Sequence, residues 1–167
     1  PRSPLLRPPA FLVAVTLVAP HSAQLANEDA VLVPDAVVAG ARFGSACAID
    51  GDRAVVGSCC IDTPVTDAGA AHVFERGPDG LWVEVAELVA PVSVERQTFG
   101  RSVDLDGDRA IVGTRHYDWD GPLGYAVDAH VYERQPDGTW AHAGALTSNL
   151  ALGSEVLNTQ VAVSYTH

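Results

Sequence analysis

The chain contains no lysine and no methionine, and its ten basic residues, all arginine, face 21 acidic ones, which leaves a formal charge of −11. Isolated arginines on an acidic surface repel a phosphate backbone, so nucleic acid is set aside as a partner. Cysteine is scarce: Cys47, Cys59 and Cys60 form no C-x-x-C unit and no ordered Cys/His spacing, which speaks against zinc. The longest apolar run, Ala10 to Ala19, has about ten residues where a membrane-spanning helix needs about 20. Helical periodicity is missing outside that run, as are a glycine-rich phosphate loop and a recognisable nucleophile motif. The chain is therefore read as all-β and not as an enzyme. At 47% apolar residues over 167 it has enough to build a core.

What is present begins with a distinct leader. Arg2 and Arg7 precede the apolar run, and Pro20 and small residues follow it as far as Ala23 and Ala26. A basic start, a short apolar middle and small residues at a cleavage point describe a secretory signal over residues 1–26. The expected mature chain starts near residue 27, is secreted or held at the cell surface, and inserts in no membrane.

The body of the chain repeats itself. FGSACAIDGDRAVVGS, Phe43 to Ser58, returns as FGRSVDLDGDRAIVGT, Phe99 to Thr114, and AHVFERGPDGLW from Ala71 returns as AHVYERQPDGTW from Ala129. A unit of this length is one supersecondary element that buries its apolar face only by stacking on a neighbour. Each unit divides into four strand-like runs: Ser45 to Asp50, Arg53 to Gly57, Ala70 to Arg76 and Leu81 to Val89, then Ser102 to Asp106, Arg109 to Gly113, Ala129 to Arg134 and Thr139 to Leu146. Gly51-Asp52 and Gly107-Asp108 are two-residue hairpin signals of type II′. That register sets Asp50 against Arg53 and Asp106 against Arg109 as opposite charges, and puts Val103, Leu105, Ala110 and Val112 on one face. Gly77-Pro78-Asp79-Gly80 and Gln135-Pro136-Asp137-Gly138 suit four-residue turns. Trp82 and Trp140, at equivalent places, are expected to anchor neighbouring sheets. Four short antiparallel strands per repeat predict a β-propeller blade.

These phrases resemble the FG-GAP repeat, the blade motif of integrin α-subunit propellers and of many secreted bacterial proteins. The continuations GAAHVFERGPDGLWVEVAELVAP and VDAHVYERQPDGTWAHAGALTS are similar to the bacterial branch, and the resemblance covers roughly residues 30–163. It implies a propeller of about seven blades outside the cell that serves binding or scaffolding. On that basis the chain is an all-β partial propeller with two complete blades, about 43–98 and 99–154. Flanking strands are expected at Ala30 to Arg42, whose Leu32-Val33-Pro34 echoes Val89-Ala90-Pro91, and at 157–167, the start of a third blade. The whole is expected to be a fragment of a larger propeller.

Two departures from the family pattern matter. The Gly-Ala-Pro of its name is reduced to Gly57 and Gly113, followed by Ser58-Cys59 and Thr114-Arg115. The acidic calcium loop of the family is shortened to Asp50-Gly51-Asp52 and Asp106-Gly107-Asp108, too few oxygens for an ion that takes six to eight. No cofactor is assigned; calcium stays possible for a full-length protein but is not supported by these loops.

Among residues that might carry chemistry, His72 and His130 recur at one repeat position, which argues for structure. The register places Cys47 opposite Val56, too far along the strand from Cys60 and on the wrong face for Cys59; the odd count leaves a partner elsewhere or a free thiol. Cys47 is read as filling the core. The unrepeated stretch His116 to Tyr125 supplies the candidate ligand residues Tyr117, Asp118, Trp119 and Asp120: an aromatic flanked by carboxylates on a rim loop suits an extracellular protein or a carbohydrate. The leading expectation is an extracellular binding or scaffolding module. The alternatives are a propeller-hosted hydrolase or lyase with its site in other blades, and a calcium-stabilised integrin-like adhesion module.

Overall fold

Each sheet grows from its Gly-Asp hairpin. In the computed structural model, which describes residues 30–62, 64–117 and 125–147, Asp50 stands opposite Arg53 and Asp106 opposite Arg109. Gly51 and Gly107 take φ of 57° and 54°, and the aspartate after each keeps a negative φ. A single left-handed residue at the first loop position is the type II′ pattern, since type I′ requires two.

Eight strands follow in chain order: β1 Phe43–Asp50, β2 Arg53–Ser58, β3 Ala70–Arg76, β4 Trp82–Leu88, β5 Ser102–Asp106, β6 Arg109–Tyr117, β7 Tyr125–Arg134 and β8 Trp140–Thr147. They form two four-stranded meanders, β1-β2-β3-β4 and β5-β6-β7-β8, with every neighbouring pair antiparallel. The two blades are as expected, with one difference in length. The second blade's central ladder continues past Gly113↔Ala129 through Thr114↔Asp128 to Tyr117↔Tyr125, whereas the first blade's ends at Ser58↔Ala70. In the first blade the Cys60 amide turns aside to Ala41 O, and Gly69 pairs with Phe99 of the second blade. Residues 30–42 form no strand: Pro34 has no amide to give a ladder. That segment instead buries Leu32 on the blade.

The cores reveal a repeat finer than the sequence pattern. Leu32, Ala54, Val56 and Phe74 cluster on one face of the first blade, with Phe43 and Trp82 against them. Leu88, Ala110, Val112 and Tyr132 occupy the corresponding positions of the second, with Phe99 and Trp140. The second cluster is larger because Val55, Ala71 and Val73 of the first blade close over it. Each blade thus has two unlike faces, and the face of one blade carrying Val55 and Val73 docks on the face of the next carrying Val112 and Tyr132. Phe99 is fully buried in this joint, a site where truncation to alanine costs about 3–5 kcal/mol. Trp140 packs into the joint as expected, and Trp82 holds the equivalent place on the outer face.

Glycine makes the joint close. A Cβ on Gly57 would overlap the Gly100 carbonyl oxygen, and one on Gly100 would overlap that of Ala70. Gly100 also sits at φ 84°, so the glycine of the FG pair serves both conformation and approach.

As with the strand expected over 30–42, the expectation for Cys47 is overturned. Cys47 is exposed, not in the core. It lies on the face that ends the pair of blades, opposite Val56, where the Leu32 cluster reaches Phe43 at the start of β1 but not Cys47, and Ile49 on the same strand is 45% exposed.

Candidate functional site

Of the four candidate ligand residues, Tyr117 ends β6, with its backbone paired to Tyr125; Asp118, Trp119 and Asp120 lie outside the described residues. The β6–β7 ladder itself runs to Tyr117↔Tyr125, beyond the level at which the first blade's β2 and β3 separate. The linker between the blades supports the base of that hairpin: Arg115 N donates to Gln97 O at 2.9 Å and Thr98 Oγ1 to Arg115 O at 2.7 Å. The same linker holds the first blade's β2–β3 loop, with Thr98 N donating to Asp67 O and Arg96 N to Thr66 O. The β2–β3 loop and the β6–β7 ladder at Arg115 are therefore tied together through residues 96–98.

A cavity of about 460 Å³ opens beside β4, lined among others by Asp35, Ile61, His72, Glu84 and Glu87. His72 Nδ1 lies 2.7 Å from Glu84 Oε1, and Glu84 Oε2 accepts from Asp35 N at 2.6 Å. The carboxylate thus fixes the imidazole and pins the irregular N-terminal segment. His72 Nε2 is buried and has no hydrogen-bond partner. In the second blade His130 Nδ1 faces His142 Nε2 at 3.3 Å, with His142 in the place of Glu84. Burial, then the His142 charge, holds His130 below its ordinary value of 6.5, against an opposing pull from Asp128. Both histidines meet the phenylalanine of their FG pair at an angle, edge-on for Phe43–His72 and tilted for Phe99–His130, with ring centroids 5.5 and 5.6 Å apart. These are packing roles.

The charged residues of the opposite rim do something the sequence reading missed. Arg53 does not neutralise Asp50 across its hairpin. Its Nε reaches Glu75 at 3.3 Å, and its Nη1 reaches Gly107 O and Asp108 Oδ1 of the second blade, both at 3.2 Å. Asp50 Oδ2 accepts from Gly107 N at 2.7 Å, and Arg134 Nε donates to Glu75 Oε1 at 2.7 Å. Asp50, Arg53 and Glu75 of one blade thereby clasp Gly107, Asp108 and Arg134 of the next. Burial disfavours the Glu75 charge, but the bonds and charge of Arg134, then Arg53, outweigh it and hold the carboxyl below its ordinary 4.5. The signal was in the sequence, because Glu75-Arg76 and Glu133-Arg134 end the repeated phrase. Asp50 and Asp108 are thus occupied as structural acceptors, and among the described residues no group of three or more potential ligands is placed to hold a metal.

A profile of the FG-GAP repeat matches the chain twice, over residues 26–74 and 82–130, together more than half of its length. The chain belongs to the FG-GAP repeat family. Neither curated proteins nor solved structures gave a match. The FG-GAP unit does not coincide with a blade. Its second copy takes β4 of the first blade together with β5 to β7, so that the joint lies inside the repeat. Its first copy begins with the segment that carries Leu32, the counterpart of Leu88. The second copy opens with strand β4, Trp82–Leu88, whereas the segment of the first copy that carries Leu32 forms no strand. Among the described residues no helix is long and apolar enough to cross a membrane.

Proposed function

We propose that this FG-GAP protein is an extracellular binding or scaffolding module that engages a protein or a carbohydrate through loops on the rim carrying the β6–β7 connection. The observation behind this reading is a division of labour. Side chains that recur in both blades, namely the FG pair, His72 and His130, and the Arg-Glu pairs of the clasp, are committed to cohesion. The connections on the other rim differ between blades in length and residues. Binding residues belong where a rigid scaffold presents variable loops, and an aromatic between two carboxylates offers a stacking face and hydrogen-bond acceptors for a sugar or a polar peptide. The test is binding of the full chain to immobilised glycans and to surface-protein extracts, compared with Trp119→Ala and with Asp118→Asn/Asp120→Asn. The variants are expected to unfold at the parent's denaturant midpoint and to lose binding at least about tenfold, the loss of one anchoring aromatic. Binding that survives both variants unchanged would remove this loop from the reading.

A further inference from the structure

We propose that Cys59 and Cys60 form an adjacent dithiol that closes into a vicinal disulfide within this chain by exchange with a small disulfide such as oxidised glutathione. Their sulfurs are 3.4 Å apart, close to van der Waals contact, so about 1.4 Å of closure would bring them to a bonded S–S distance of about 2.05 Å. The turn after β2 places them so: Cys60 N donates to Ala41 O at 3.1 Å, and at the next residue Ile61 O accepts from Gly69 N at 3.1 Å. Cys47 is excluded as a partner. It stands opposite Val56, while the pair lies beyond Ser58, which stands opposite Phe43; about three residues of strand, roughly 10 Å, separate it from Cys59. Arg115 and His116 occupy the corresponding positions of the second blade, so the pair is no part of the repeated scaffold.

The two thiols differ in access, and this orders the exchange. Cys59 is 3% exposed and Cys60 is open to solvent in part. The Cys60 thiolate attacks the small disulfide, forms a mixed disulfide and expels one thiolate. The Cys59 thiolate then attacks Cys60 Sγ and expels the second. Two cysteine thiols are oxidised, one disulfide is reduced to two thiols, and the two cysteine protons end on the leaving groups. Burial, then Cys59, pushes the Cys60 thiol up to about 11, so the exchange is slow near neutrality and quickens with pH. Adjacent residues have Cα atoms about 3.8 Å apart, below the usual disulfide range, which makes such a ring strained and easily reduced. The chemistry fits a reversible modification better than a permanent staple.

Trypsin separates the thiols cleanly, because Cys47 falls in the peptide ending at Arg53 and the pair in the peptide 54–76. The full chain is incubated with oxidised glutathione near pH 8.5, with and without denaturing urea, alkylated, digested and weighed. The expected result under native conditions is that peptide 54–76 loses two hydrogen masses and both alkylation sites, and regains them after mild reduction. In urea the yield falls at least about tenfold, since the turn no longer aligns the sulfurs. Cys47→Ser leaves this unchanged, and Cys60→Ser abolishes it. Peptide 54–76 found alkylated twice, glutathionylated without closure, joined to the Cys47 peptide or to another chain, or closed equally well in urea would overturn the proposal.

Discussion

Three alanine substitutions separate what glycine does for backbone conformation from what it does for the joint between blades. Gly107 has φ 54° and open space around a Cβ, Gly57 lacks the left-handed φ but would drive a Cβ into Gly100 O, and Gly100 has φ 84° and a Cβ clash with Ala70 O. A left-handed alanine costs about 1 kcal/mol. Overpacking costs about 1–3 kcal/mol, and Gly57 belongs at the upper end because a carbonyl of the neighbouring backbone has no rotamer by which to retreat. The expected losses are about 1 kcal/mol for Gly107→Ala, about 3 for Gly57→Ala and, by addition, about 4 for Gly100→Ala. The last approaches the whole stability of a small domain, so the comparison rests on the first two. Equilibrium urea unfolding, followed by tryptophan fluorescence with the slope m unchanged, reads them. Gly57→Ala costing no more than Gly107→Ala would mean that the blades do not approach as described.

Two further expectations concern pH. Glu75 has a lowered folded value, so its contribution is present above 4.5 and is lost as pH falls through that lowered value; Glu75→Gln should remove this acid-side slope and cost about 1 kcal/mol near neutrality, a modest figure because the pair is partly solvated. Urea midpoints between pH 3 and 7 check it, and an unchanged slope would show that the clasp carries no charge linkage. His130 is also lowered, from 6.5, so stability is full above that value and declines below it as the folded ring resists protonation. His130→Gln should flatten the midpoint curve between pH 6.5 and 5, and an identical decline would place the titrating group elsewhere.

The strand order, the hairpin registers and the inward set Val103, Leu105, Ala110 and Val112 were legible because period-2 alternation and the Gly-Asp turn impose one register together. The partners of the charged residues were not. Arg53 stands opposite Asp50 on one side and Glu75 on the other, and its choice depends on a second blade that local pattern does not describe. The same limit applies to Cys47, whose alternation is that of a core residue and whose exposure follows from what lies against the blade. The end of β6 was placed at Gly113 by analogy with the first repeat, yet the ladder runs on to Tyr117 where no cysteine turn interrupts it. The candidate loop was visible as the place where two repeats disagree, and disagreement marks a position without specifying a ligand.

The clasp gives the array a direction. The first blade offers an arginine and two carboxylates that reach forward, and the second offers the turn amide, the turn aspartate and the arginine that receive them. The groups that reach forward and the groups that receive them are different sets, so the contact between these two blades is heterologous and not self-matching. A further blade added by the same contact would repeat it head to tail, the kind of step that leads to a closed ring or an open fibre.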